Sequence, residues 1–361
     1  MNQVAQWPTA PSEPPIDPEF PIIDAHHHLW NVLGYNPLPP FTGEIFESMI
    51  REAGHNVSAT VYIQAPHSLR TDGPEHLRVL GETEYADAIG ARYQESHSKI
   101  CRGIVGSADL RMPNPLLDEL LRLQIQTAPR RFRGIRQNLA WDADPNLQIR
   151  SQNIASGMAF DEAMQSGVRL LGDFGLSYDT WLYHTQLPEL EVLASACPDT
   201  QIIVDHAGGP LGIGPYAGHG EEVFASWKTN IARVARHQNI FVKLGGLFMG
   251  TAGFSIARER DSPLSAELAR LAEPYFNHVI DCFGTERCMF ESNFPMDLMS
   301  CSYGSLWNSY KRIVAGFSDN ERCDLFFNNA NRVYRLDVHR VELQRSRSAE
   351  GEAERQRPNR R

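Results

Sequence analysis

The chain alternates short apolar runs with longer stretches in which apolar positions recur every three or four residues. Eight runs rich in Val, Ile, Leu or Phe read as strands: 21–27 (PIIDAHH), 58–64 (SATVYIQ), 102–109 (RGIVGSAD), 132–139 (FRGIRQNL), 168–177 (VRLLGDFGLS), 200–206 (TQIIVDH), 240–247 (IFVKLGGL) and 287–293 (RCMFESN). Helical periodicity predicts helices over 74–98, 114–127, 158–166, 187–196, 220–237, 263–283 and 303–317, with a short one over 319–330. Strands that run apolar instead of alternating belong to a parallel sheet covered on both faces. Eight such strands separated by helices predict an α/β fold, a distorted (β/α)8 TIM barrel. A doubly wound open sheet would carry a glycine-rich turn after its first strand, and here that strand ends in AHHHLW.

The barrel is expected as one domain over 21–336. Residues 1–20 hold five prolines and no periodic pattern, which predicts an extended arm, and 337–361 is a polar stretch read as a disordered tail. Lys and Arg number 34 against 44 Asp and Glu, a net charge of -10 without a basic stripe in the body of the chain, which argues against nucleic acid or anionic membranes as partners. Six cysteines without a CxxC pair and no apolar run long enough to span a bilayer predict a cytoplasmic protein with reduced thiols. A small-molecule substrate is the expected partner, and a homo-oligomer is compatible with the composition.

Barrel enzymes carry their chemistry at the C-terminal ends of the strands. Side chains alternate along a strand, so His26 and His28 are expected to face the mouth, His27 the helix layer, and Asp24 the interior one layer beneath. Two imidazoles so placed supply nitrogens to one divalent ion or polarise one substrate carbonyl. Other predicted strand ends add Arg136 and Gln137, His206 ahead of two glycines, Lys243, and Glu291 with Asn293. A purely structural barrel would prefer branched apolar side chains there.

The segments IDAHHHLW, GIRQ, VDHAGGP, VKLGGL and FESNFPMD, in this order over residues 20–336, resemble the amidohydrolase superfamily, and within it the lactonase-like amidohydrolase family 2. The resemblance implies a TIM barrel that hydrolyses a lactone of a sugar acid or of an aromatic breakdown product. It implies one divalent metal, zinc foremost, on the HxH histidines His26 and His28, with His206 a less certain third ligand, although some lactonases of the group work without metal. It also implies a strand-eight aspartate as ligand or base. Asn293 stands at that position, and an amide does not accept a proton at neutral pH. The base is then sought among Glu291, Asp297, Asp24 and neutral His206, with Asn293 left to donate a hydrogen bond.

Arg136 offers a bidentate fork to a substrate carboxylate. Glu291 could instead be an ion-pair partner of Arg136 or of Lys243, and Lys243 is also a candidate substrate contact. Trp30, Tyr178, Trp181, His184 and Phe294 are candidates for an aromatic wall, and Gln64 for a further substrate contact. Glu82 and Glu84 read as a solvated helix face. Two rival functions remain on the sequence: a zinc-dependent decarboxylase of an aromatic or muconate-type acid, and a non-catalytic barrel that has lost its base.

Overall fold

Residues 7, 13–31, 38–149, 153–254 and 264–339 are described in the computed structural model. Eight parallel strands pair in chain order: β1 (Ile22–His27), β2 (Val57–Ile63), β3 (Gly103–Ser107), β4 (Phe132–Arg136), β5 (Ser177–Thr180), β6 (Ile202–Val204), β7 (Ile240–Leu244) and β8 (Cys288–Phe290). The residues after β8 return to β1 and close the ring. There the Asn293 N–H donates to the His26 carbonyl at 2.9 Å and the His28 N–H to the Phe294 carbonyl at 2.8 Å. The outer layer is α1 (Gly43–Ala53), α2 (Leu80–Arg92), α3 (Asn114–Thr127), α4 (Glu162–Asp173), α5 (Leu187–Ala196), α6 (Gly220–Val234), α7 (Ser265–Phe283) and α8 (Tyr303–Ile313), followed by α9 (Asp319–Cys323) and α10 (Asn329–Val333). This is the expected (β/α)8 barrel.

Inside the ring, Ile23, Ala25, Val61, Ile63, Val105, Ile203 and Met289 pack on Phe327, Tyr334 and Leu336 from the end of the described chain. Arg102 and Arg133, at the starts of β3 and β4, donate to the carbonyls of Leu336 and Arg335 at 2.6 and 3.2 Å. The N-terminal end of the barrel is thus floored by α10 and the residues after it, and chemistry is left to the opposite rim.

Three expectations need correction. First, the strand read over 168–177 is largely α4, whose inward face carries the buried Val168 and Leu171. The strand that follows is SYDT, paired with β4 and β6. A short apolar run does not distinguish strand from buried helix face, and polar letters hid the true strand. Second, no helix was expected between the first two strands, yet α1 is well formed. The Thr42 side chain caps it by accepting from the Ile45 N–H, and Gly54, at a φ of 69°, ends it in the left-handed region.

Third, β1 carries a bulge. Asp24 pairs with Thr60 and His27 with Tyr62, so three steps on β1 answer two on β2. The slip turns Asp24 outward to the helix layer, where Tyr303 of α8 donates to it at 2.9 Å. His26 keeps the interior side. His27 does face the helices, with Nε2 2.8 Å from the Thr60 hydroxyl and its ring against Phe46.

Of the expected arm, residues 13–20 dock on α7 and α8. The Glu13 carboxylate accepts from the Ser265 N–H and hydroxyl, the Pro14 carbonyl from Asn308, and the carbonyls of Ile16 and Asp17 from Lys311. The expected tail begins later than 337, since Val338 is buried in the barrel floor with its N–H donated to Asn331 at 3.1 Å, and residues 340–361 lie outside the described residues. Among the described residues no helix is long and apolar enough to cross a membrane.

Candidate active site

Three imidazoles meet at the C-terminal rim. His26 and His28 follow the bulge of β1, with their Nε2 atoms 3.2 Å apart and rings nearly perpendicular. His206 follows β6, its ring centroid 4.8 Å from that of His26. In each ring the Nδ1 atom has an acceptor beside it: the Ile63 carbonyl at 2.8 Å for His28, Glu291 Oε1 at 2.7 Å for His206, and Glu291 Oε2 at 2.8 Å for His26. An Nδ1 hydrogen-bonded to a carbonyl or carboxylate carries the proton, so in neutral His28 and His206 the lone pair sits on Nε2, whereas His26 Nδ1 also lies 3.4 Å from Lys243 Nζ, which can only donate. Burial lowers both His28 and His206, keeping them neutral; the Glu291 charge opposes this at His206.

Glu291 is the hub. Burial alone would raise its carboxyl, but the charges and hydrogen bonds of His206 and His26 hold it below the ordinary carboxylate range. Its Oε1 also accepts the backbone N–H of His206 at 3.0 Å. That contact steadies an uncommon backbone: His206 and Ala207 have φ values of 57° and 51°, ahead of Gly208 and Gly209 at 72° and 55°. A left-handed non-glycine residue costs roughly 1–3 kcal/mol and persists where its surroundings over-determine it.

Beneath the imidazoles lies a sealed ion cluster. Lys243 of β7 contacts Asp179 of β5 at 2.8 Å and Asp205, just after β6, at 3.0 Å, and Arg136 of β4 contacts Asp205 at 3.0 Å. Tyr334 donates to Asp179 at 2.6 Å from the barrel floor. Burial opposes ionisation of both Asp205 and Lys243, yet their mutual attraction holds Asp205 well below and Lys243 above the ordinary ranges. The cluster therefore sets three carboxylates (Asp179, Asp205, Glu291) against two fixed cations (Lys243, Arg136). A further positive charge is favoured among the imidazoles.

The VKLGGL glycines leave room for this arrangement. A Cβ on Gly245 would stand 2.3 Å from Glu291 Cγ, and one on Gly246, whose φ is 66°, 2.3 Å from the His206 ring. Replacing Gly246 by Ala is expected to displace the His206 ring and lower kcat at least tenfold. It should also lower stability by about 1–2 kcal/mol from the left-handed backbone alone. Steady-state kinetics beside a denaturant titration check both, and a fully active Gly246→Ala would contradict the placement of His206.

The other expected site residues divide. Asn293, at a φ of 53°, joins the rim through its backbone bond to His26, while its side-chain nitrogen lies 3.7 Å from Met249 Sδ. Asp297 is buried beside it, and burial pushes its carboxyl well above the ordinary range despite a bond from Asn293. Of the proposed aromatic wall, Trp181 stands 5.9 Å from His206, ring to ring. Tyr178 and Phe294 instead pack with the core between sheet and helices, and Phe294 meets Tyr303 edge-on. Trp30 is packed with Phe41 and Trp7, and His184 lies in the loop after β5, edge-on to Tyr216.

Over the ends of β2, β3 and β4 opens a cavity of about 200 Å³ lined by Gln64, Arg136, Gln137, Arg111 and Glu82 among others. Glu82 is the correction here: it is not on a solvated face but 2% exposed, and burial raises its carboxyl to about 8. A folded-state value above the unfolded one means that stability is lost as pH climbs from near 4.5 through about 8. The melting temperature of Glu82→Gln minus that of wild type is accordingly expected to grow over that range. A flat difference would mean that Glu82 ionises as readily in the fold as in water.

A closed parallel barrel with imidazoles and carboxylates on its C-terminal rim defines a class of hydrolytic barrel enzymes. The family model described as Amidohydrolase matches residues 23–336, and the chain belongs to that family. The uncharacterized protein y4mH of Sinorhizobium fredii is 30% identical over 334 residues, 88% of this chain and 99% of its own. An L-fucono-1,5-lactonase of Burkholderia multivorans is 25% identical over 326 residues, 87% of this chain and 96% of its own. A solved amidohydrolase of Burkholderia multivorans with bound zinc is alike in fold, with a TM-score of 0.66 at 22% identity over 87% of this chain and 99% of that one. The protein is a hydrolase of the amidohydrolase family.

Proposed function

We propose that the protein opens the lactone of a carboxylate-bearing sugar acid or aromatic-catabolism intermediate, by attack of water on the ring carbonyl beside His26, His28 and His206. The observation that carries this reading is the grouping of His26 with His28, whose Nε2 atoms lie 3.2 Å apart, and with His206, whose ring centroid lies 4.8 Å from that of His26.

The Nε2 atoms of His26 and His28, 3.2 Å apart, are close enough to share one ion or one proton. Together with the excess of carboxylates beneath, this donor set fits a divalent ion held by His26 and His28, and zinc suits imidazole nitrogen. Bound there, such an ion supplies Lewis acidity toward the ring carbonyl. A shared proton is the metal-free counterpart.

His206 is the base in this reading. Neutral and held through Nδ1 by Glu291, it takes a proton from water at Nε2 as the water oxygen bonds to the carbonyl carbon. When the ring C–O bond breaks, the same nitrogen returns the proton to the departing oxygen, and a hydroxy acid leaves. Glu291 orients the imidazole, Lys243 and Asp205 support His26 from below, and Arg136 with Gln64 hold the acid arm.

The test is acid release from a panel of aldonolactones and carboxylated pyrone lactones, with metal content measured before and after chelation. The expected result is turnover by wild type and loss of at least ~10³-fold in His206→Asn. If folded, zinc-loaded protein leaves the whole panel intact, the reading is wrong.

A further inference from the structure

Glu82, in the first turn of α2, lines the rim cavity. Its Oε1 accepts the Ala65 N–H at 2.5 Å and the Tyr62 hydroxyl at 2.8 Å, while its Oε2 is buried and has no hydrogen-bond partner. With both donors committed to Oε1, a proton on this carboxyl resides on Oε2. Tyr62 is held in turn by His67 Nε2 at 2.9 Å, and His67 Nδ1 lies 2.8 Å from the Ser68 hydroxyl. Glu82, Gln64 and Arg136 line the same cavity.

We propose that Glu82 selects carboxylate-bearing substrates, donating the Oε2 proton as a hydrogen bond to the same substrate carboxylate that pairs with Arg136. The assignment rests on the lactonase reading for the class of ligand but not on turnover. A neutral acid beside Arg136 welcomes an anion, whereas an ionised Glu82 would repel it across a low-dielectric gap. Affinity for acid ligands is therefore coupled to the protonation of this one group.

The groups that face Glu82 are Tyr62 from β2, His67 from the loop after β2, and Arg136 from β4. Burial raises Tyr62 well above its ordinary range and lowers His67 to about 4. Asp109 and Arg111, on the far side of the cavity, are paired with each other at 3.1 Å; burial would raise Asp109, but the bonds from Arg111 and Gln137 hold it below the ordinary range. Among the described groups that face Glu82, the change between pH 6 and 10 is thus left to Glu82 itself. A merely structural Glu82, tethering the loop after β2, would behave differently: the Glu82→Gln carbonyl still accepts both bonds, so the tether survives while the titration is removed.

D-gluconate, whose carboxylate stands in for the acid arm of the substrate, serves as the probe, titrated calorimetrically into wild type and Glu82→Gln from pH 6 to pH 10, with sorbitol as the uncharged control. The expected result is wild-type binding that weakens at least tenfold between pH 7 and pH 10, with binding of similar strength but independent of pH in Glu82→Gln. Sorbitol should show no such dependence. Absence of gluconate binding, or the same alkaline loss in Glu82→Gln, overturns the assignment. A protein with the expected binding signature that opens no lactone refutes the hydrolytic reading alone, and a lactonase whose gluconate affinity ignores pH refutes the Glu82 assignment alone.

Discussion

Lys243→Met is expected to lower the unfolding free energy by about 3–5 kcal/mol, the usual penalty for removing one partner of a buried ion pair. The ammonium is fully enclosed and stands between Asp179 and Asp205, at 2.8 and 3.0 Å. Methionine fills a similar volume, so a cavity contributes little to the loss. What remains is two carboxylates inside the barrel with one fewer cation. Tyr334 still bonds Asp179 and Arg136 still faces Asp205, which limits the damage without removing it. Natural domains have only 5–15 kcal/mol in reserve, so the variant should sit near the edge of folding. Denaturant titration reads the loss, and adding Asp179→Asn to the variant should restore part of it. A loss under about 1 kcal/mol would mean that the cluster is not the ion pair described.

The second large effect is on catalysis. Glu291→Gln should lower kcat by roughly 10³–10⁴-fold and leave KM within a few-fold, by analogy with exchanging the orienting carboxylate of a catalytic triad for its amide. The physical reason is acceptor count. Glu291 receives the His206 ring on Oε1 and faces His26 Nδ1 with Oε2, whereas a glutamine has one oxygen for the two and a donor in place of the other. One imidazole must then adopt the other tautomer, which turns its Nε2 lone pair into an N–H. The acid arm in this account is held by Arg136 and Gln64, which the substitution does not touch, so binding should persist. Comparable losses in kcat and affinity would place Glu291 in substrate binding instead, and a variant within tenfold of wild type would remove it from the mechanism.

The sequence made the rim legible and left the layer beneath it obscure. HxH, VDH and FES each announce a polar group at the end of a strand, and the structure brings His26, His28, His206 and Glu291 within contact of one another. Two further signals were readable and unused: the Thr42 and Gly54 caps of α1, and the run of glycines that makes room for His206 and Glu291. Asp179 was hidden because β5 has no apolar pattern: its polar residues are buried through their pairing with one another and with Lys243. The bulge in β1 reverses Asp24 from interior to exterior, and alternation along a strand cannot reveal an inserted residue. Glu82 resembled an exposed glutamate at the start of a helix because its partners Tyr62 and Ala65 come from a different strand and loop.

The central claim is that the imidazoles at the rim offer Nε2, not Nδ1, to the reacting centre. Tautomers are directly observable in histidine-labelled protein by long-range ¹H–¹⁵N correlation, with His26→Asn, His28→Asn and His206→Asn variants to assign the signals. The account predicts Nδ1–H with unprotonated Nε2 for His28 and His206 at neutral pH, and loss of that pattern at His206 in Glu291→Gln. Nε2–H tautomers at both rings in the wild-type protein would contradict it.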